Sequence, residues 1–193
     1  MITADPLVRV THIADAADAL GLAVTGAGGM QCLGEGFAIG TAFTVHQRAS
    51  GGGQLRHREV AESLSQAGDI IVIAASDTMG ATWGEAHAMR AAARGVAGVL
   101  IDGFTRDTTF FAEAALGPVL CRGGSPFKSV GRLETLAIRE PVQIMGQTVR
   151  HGDIIAMDAD GFVAFAPDDA DRILGKAAEI AQAEAQRNAE LSA

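Results

Sequence analysis

Two apolar runs stand out along the chain, Asp69-Ile-Ile-Val-Ile-Ala-Ala75 and Gly98-Val-Leu-Ile101. Both are short, rich in β-branched residues and free of polar alternation, so they predict strands buried on both faces. Elsewhere the apolar positions recur at helical spacing. Ile13, Ala16, Ala17 and Leu20 predict a helix over 11–20 that ends at Gly21, and Val60, Ala61 and Leu64 predict a second over 57–66 that stops at Gly68. A third is expected over 83–93, closed by Gly95, and a short one over 109–115. Ala38 to Val45 reads as a strand before a Ser50-Gly-Gly-Gly53 loop, and Pro118 to Cys121 as another strand-sized run. From Leu136 to Phe165 the pattern shifts to strand-sized runs between turns, and Asp158-Ala-Asp-Gly161 separates two of them as a hairpin would. Pro167-Asp168 opens a long terminal helix over about 168–190, with Asp168 expected as its N-cap. Its stripe Ile173, Ala177, Ile180 ends on Glu184.

Helices alternate with strands over the first two-thirds, then strands dominate. The expectation is an α/β domain of three layers whose sheets mix parallel and antiparallel pairing. No linker or repeat divides residues 1–193, and that length suits a single domain. The composition, 48% hydrophobic and 20% charged, is that of a globular protein. A net charge of −8 with scattered basic residues argues against direct nucleic-acid binding, which needs a basic patch. Cys32 and Cys121 have neither disulfide-framework nor zinc-site spacing and read as core residues in a reducing compartment. The opening residues lack a signal-peptide pattern and no apolar run is long enough to span a bilayer, so a cytoplasmic protein without a membrane partner is expected.

The chemistry gathers after the second apolar run, in Asp102-Gly-Phe-Thr-Arg106-Asp107. Open α/β sheets bind ligands beyond the carboxyl ends of their strands. There an arginine fork suits a planar carboxylate, and an aspartate suits a hard divalent cation. Glu85 precedes Arg106 by twenty intervening residues, at the start of the helix that follows the first run. If the two runs are parallel neighbours, Glu85 and Asp107 converge. The free N–H groups of Gly84, Glu85 and Ala86 offer a seat for a carboxylate. His87, beside Glu85, reads either as a substrate contact or as a satisfied structural histidine. Trp83 reads as a packing residue and Asp77 as a pocket-wall residue with no catalytic role. On its own, Arg106-Asp107 reads as a turn ion pair capping the following helix. The strings Gly26-Ala-Gly-Gly29 and Gly51-Gly-Gly53 lack the strand–glycine–helix frame of a phosphate loop.

The segment from Gly84-Glu85 to Arg106-Asp107 resembles the signature of the RraA-like family. That family includes the regulator of RNase E activity A and the 4-hydroxy-4-methyl-2-oxoglutarate and 4-carboxy-4-hydroxy-2-oxoadipate aldolases. Further matching pieces are Asp15-Ala-Ala-Asp-Ala-Leu-Gly21, Gly124-Ser-Pro through Gly131-Arg132, and His151-Gly-Asp-Ile-Ile through Asp158-Ala-Asp-Gly161. The resemblance implies a β/β/α "swivelling" domain assembled as homotrimers or homohexamers, with active sites at subunit interfaces. It implies a class II, magnesium- or manganese-dependent, pyruvate-forming aldolase that often decarboxylates oxaloacetate too. Carried onto this chain, Asp107 is the metal ligand and Arg106 anchors the 2-oxo-acid. Glu85 stands where the family usually has aspartate, holding the water on the metal that shuttles protons. From their places in the chain alone, Gly84, Glu85, Ala86 and His87 are candidate substrate contacts, and Lys128, after Ser125-Pro-Phe127, is a candidate for a distal carboxylate. Lys128 and Lys176 lie outside the constellation, which disfavours a Schiff base. Glu184 is either solvated or reaches a neighbouring subunit's site. The alternative implied by the resemblance is a regulatory protein that binds and inhibits an RNase E-type ribonuclease. The regulatory branch can dispense with the metal ligand, so Asp107 favours the lyase.

Overall fold

The computed structural model describes residues 2–113 and 116–192. Helix α1 (Val10–Leu20) leads through β1 (Thr25–Ala27) and β2 (Gln31–Leu33) to β3 (Ala38–Ala49). A short α2 (His57–Glu59) runs into a π-helical turn over Val60–Leu64, followed by β4 (Asp69–Ala74), β5 (Ala81–Trp83) and α3 (Glu85–Ala93). Next come β6 (Gly98–Asp102), β7 (Phe104–Thr105), α4 (Thr108–Glu113), β8 (Val119–Cys121) and β9 (Gly123–Gly124). Strands β10 (Leu133–Ile138), β11 (Val142–Ile144), β12 (Gln147–Val149), β13 (Ile154–Asp158) and β14 (Gly161–Phe165) precede the terminal α5 (Ala170–Leu191).

The two apolar runs are central for the reason their composition gives. β3, β4, β6 and β8 pair in parallel, and β4 aligns with β6 from Ile70 opposite Gly98 to Ala74 opposite Asp102. Antiparallel strands complete this sheet in the order β1-β14-β13-β3-β4-β6-β8-β2, with β10 also on β3. Alternation divides each central strand between two cores. Ile71 and Ile73 face Ala88, Ala91 and Val60 on the helical side, while Ile70 and Val72 face Val142, Ile144 and Val149 of the β11–β12 hairpin. A third core lies between α1, α5 and the outer face of β13–β14, where Ile13, Ala17, Phe165, Ile173 and Ala177 meet. The layers are those of a mixed α/β fold, as expected.

The hairpin around Asp158-Ala-Asp-Gly161 forms with Asp158 opposite Gly161. Gly161 sits at φ 137°, and a side chain there would run into the Ala27 carbonyl of the neighbouring β1. Gly161→Ala is therefore expected to destabilise the fold by about 2 kcal/mol or more, read by urea unfolding. An unchanged midpoint would show that β1 yields freely.

Four expectations need correction. Trp83 is the last residue of a strand, and the helix starts only at Glu85, because Trp83 pairs with Thr105 of β7. The expected 57–66 helix is one α-turn that widens into a π-turn, ended where the Ser65 N–H and hydroxyl both bond the Val60 carbonyl. Asp168 lies inside a 3-10 turn over Pro167–Asp169 and makes no side-chain cap, since α5 begins two residues later. β3 runs on to Ala49, past Val45, because β10 supplies partners as far as that residue. Ala115, the expected end of the short fourth helix, lies outside the described residues. Cys32 stands opposite Leu120 and Cys121 opposite Gln31, which puts the two thiols on opposite faces of the sheet.

Candidate functional site

Each of the three central strands continues past the main sheet into a piece of a second one. β5, β7 and β9 follow β4, β6 and β8 in the chain and pair in parallel, Trp83 with Thr105 and Thr105 with Gly124. The residues after these three short strands meet at one edge: Gly84 to His87, Arg106 and Asp107, and Ser125 to Lys128. The Arg106 N–H donates to the Trp83 carbonyl at 3.0 Å, and the Thr105 hydroxyl donates to the same oxygen at 3.1 Å. The Ser125 N–H donates to the Thr105 carbonyl at 2.7 Å, and the Ser125 hydroxyl bonds the Met79 carbonyl.

Asp107 is the hub. It holds φ at 60°, a left-handed conformation that aspartate tolerates better than most residues. Its Oδ2 accepts the Glu85 N–H at 3.2 Å and the Arg106 Nε–H at 3.3 Å. The carboxylate thus occupies the positive end of α3, whose own N-cap, Gly84, offers no side chain. Gly84 leaves the room for this: a Cβ on it would lie 2.7 Å from Asp107 Oδ2 and 3.0 Å from Arg106 Cγ.

Arg106 and Asp107 form a wall between two cavities. One, of about 240 Å³, is lined also by Trp83, Gly84, Ala86, His87, Lys128 and Val130. The other, of about 420 Å³, is lined also by Thr108, Gly124, Ser125 and Pro126. With side chains 49% and 35% exposed, Arg106 and Asp107 are an open pair that contributes little to stability and stays available to a ligand. Arg106 spends only its Nε–H on Asp107, so the paired N–H groups at its tip have no acceptor among the described residues. Arg58 and Arg90 share the carboxylate of Glu62, at 2.9 and 2.6 Å, leaving a local excess of positive charge near His87. Burial first, then Arg90 and Arg106, hold the His87 imidazole below the usual histidine value.

The predicted constellation assembles in part. Gly84, Ala86, His87, Arg106 and Asp107 share the smaller cavity, and Lys128, expected outside the constellation, lines it too because its segment returns beside β5. Glu85 meets Asp107 through its backbone, while its side chain is exposed and lines neither cavity. Asp77 lines neither cavity, because its carboxylate accepts the Ala49 N–H and ties two loops together. Glu184 accepts a hydrogen bond from His12 Nε2 of its own chain at 2.8 Å. Trp83 is buried, as a packing residue should be. Among the described residues no three His, Cys, Asp or Glu side chains gather into a metal-binding cluster. The donor set still fits a hard divalent cation: one open carboxylate beside space for water and for substrate oxygens is how magnesium is commonly held. Sequence reasoning missed Ser125, the buried pair of Gln47 and His57 behind His87, and Asp102. Asp102 is buried, ion-paired with Arg122, and accepts the Met145 N–H at 2.8 Å. An aspartate ending an otherwise apolar strand was the available signal, since it requires a partner.

Residues 10–164 match the family model for RraA-like proteins, described as Aldolase/RraA. The chain belongs to the RraA-like family. Among RraA-like relatives, a protein of Halalkalibacterium halodurans named "Putative 4-hydroxy-4-methyl-2-oxoglutarate aldolase" is 33% identical over 145 residues, covering 72% of this chain. The match spans 64% of that relative's length, less than two-thirds. An uncharacterized protein from Pseudomonas syringae pv. tomato superposes with a TM-score of 0.82 at 25% identity, covering 96% of this chain and 88% of the other. Streptomyces coelicolor RraAS2, described as an unusual member of the RNase ES inhibitor RraA protein family, superposes with a TM-score of 0.78 at 24% identity. That match covers 95% of this chain and 92% of the other, and shares the RraA-like fold. Among the described residues no helix is long and apolar enough to cross a membrane.

Proposed function

We propose that this RraA-like protein is a cytoplasmic, divalent-metal-dependent, pyruvate-forming lyase acting on 2-oxo-acids. The reaction is retro-aldol cleavage of a 4-hydroxy-4-methyl-2-oxoglutarate-type substrate, decarboxylation of oxaloacetate, or both. The observation that carries the reading is the Arg106–Asp107 wall between two cavities, with the first turn of α3 against it.

Both reactions leave a pyruvate enolate, so the site must bind a carboxylate and tolerate negative charge on the adjacent oxygen. Asp107 would hold magnesium or manganese, which when bound polarises the keto oxygen. Arg106 presents two parallel N–H groups to the substrate carboxylate and offsets the charge that develops beside it. First-turn N–H groups of α3, with Gly84 and Ala86 on the cavity wall, complete the anion seat. The Glu85 carboxylate, in solvent between those two residues and outside both cavities, would act only through water at the rim. Lys128 takes the distal carboxylate. Exposed Met79, Phe127 and Val130 lie on the segments that frame the cavity, which supports burial of this rim between copies in a trimer or hexamer.

The test is pyruvate release from 4-hydroxy-4-methyl-2-oxoglutarate and from oxaloacetate with added magnesium. Asp107→Ala is expected to lose about 100-fold or more in kcat. A wild type silent on both substrates, or a variant as active as the wild type, sinks the reading. The alternative, a regulator that binds and inhibits an RNase E-type ribonuclease, draws on likeness of fold alone and makes no use of Asp107.

A further inference from the structure

His87 is the titratable side chain on the cavity wall that the scheme above leaves without a role. Its ring is braced on two sides, by Trp83 at 5.4 Å between centroids and by His57 at 5.5 Å and 68°. His57 is buried, and its Nδ1 lies 2.8 Å from Gln47 Nε2. The same Gln47 nitrogen lies 3.3 Å from the Thr135 hydroxyl oxygen, which also accepts the Arg56 N–H. An amide nitrogen has two hydrogens, and these two acceptors use both. His57 Nδ1 is therefore an acceptor, and its remaining proton sits on Nε2.

That Nε2–H is buried and has no partner among the described residues. Buried donors are seldom left unpaired, and an orphan calls for a functional account. The two imidazoles stand edge to face with their centroids 5.5 Å apart, so a hydrogen bond between them requires His87 to turn a ring nitrogen toward His57. His87 would then accept from His57, which forces its own proton onto its other ring nitrogen. Burial, then Arg90, Arg106 and Arg58 against the opposing Glu62, disfavour a second proton on the ring, which shares its cavity also with Asp107 and Lys128.

We propose that His87 is a neutral hydrogen-bond donor to the substrate oxygen that gains negative charge, held in the donating tautomer by the buried His57–Gln47 pair. The role rests on the lyase reading. A neutral imidazole suits it, because it stabilises an oxyanion without surrendering a proton before the carbon–carbon bond has broken. His57 is then a positioning residue that acts through His87.

His87→Leu is expected to lower kcat for pyruvate release about 100-fold with little change in KM, whereas His87→Gln, which keeps an N–H, recovers most of the rate. Independently of turnover, nitrogen-15 spectra of the imidazoles with magnesium and oxalate at pH 7 should show His87 neutral with one protonated nitrogen. His57→Phe should scramble that tautomer. An inactive wild type overturns the lyase reading and this role together. An active wild type with an indifferent His87→Leu variant, or a His87 that is imidazolium in the oxalate complex, overturns this role alone.

Discussion

Gly84→Ala is expected to release pyruvate about 100-fold more slowly than the wild type while the fold persists. The backbone at Gly84 is extended, with φ −178° and ψ −179°, so an alanine there meets no conformational strain. The obstacle is space. The added methyl would stand 2.7 Å from Asp107 Oδ2 and 3.0 Å from Arg106 Cγ, well inside contact distance. Either the Arg106–Asp107 wall moves or the start of α3 does, and each shift breaks the bond between Asp107 and the Glu85 N–H. Overpacking of this kind costs about 1–3 kcal/mol, which urea unfolding would register as a lower midpoint. A displacement near 1 Å of the groups that orient a substrate is enough for a rate loss of roughly two orders of magnitude. Normal turnover together with normal stability would mean that the crevice relaxes freely, and Asp107 would then lose its claim to a fixed position.

The sequence made the central parallel strands legible because burial on both faces leaves a run of apolar residues with no alternation. β4 and β6 needed nothing else. The β5–β7–β9 sheet was not legible: its strands are two or three residues long, and their partners are about twenty residues away. Trp83 consequently read as helical, since a three-residue strand is too short to carry a period. The π-turn after α2 depends on where Ser65 finds an acceptor, which no periodicity records. At the site, Arg106 and Asp107 could be read from type and place, at the end of a buried strand. The spacing to Glu85 gave the convergence correctly but not its chemistry, because the helix start delivers the Glu85 N–H to Asp107 and leaves the side chain in solvent. Gln47 and His57 escaped notice for a different reason. A glutamine inside a strand and a histidine opening a helix each look like surface residues until tertiary packing closes over both.

That closure has a consequence that urea unfolding across pH should expose. Burial, reinforced by the neighbouring His87, pushes His57 down to about 4. In the unfolded chain a histidine takes up its proton near pH 6.5. Between those two values the unfolded state binds a proton that the native state refuses, so stability falls as pH drops. The loss starts near pH 6.5, proceeds at up to about 1.4 kcal/mol per pH unit, and levels off below pH 4, where the native state binds the proton as well. Summed over the window it amounts to about 3 kcal/mol, a large share of the 5–15 kcal/mol typical of a domain. Structure reinforces the sign: protonation of His57 Nδ1 would set it against the Gln47 amide hydrogen that now bonds it. The control is His57→Gln, which cannot titrate. Carboxylates titrate alike in both proteins, so the wild-type curve should be steeper than the variant's by about 3 kcal/mol between pH 6.5 and 4. Parallel curves would mean that the imidazole reaches water in the native state, and the tautomer assigned to His57 would fall with its burial.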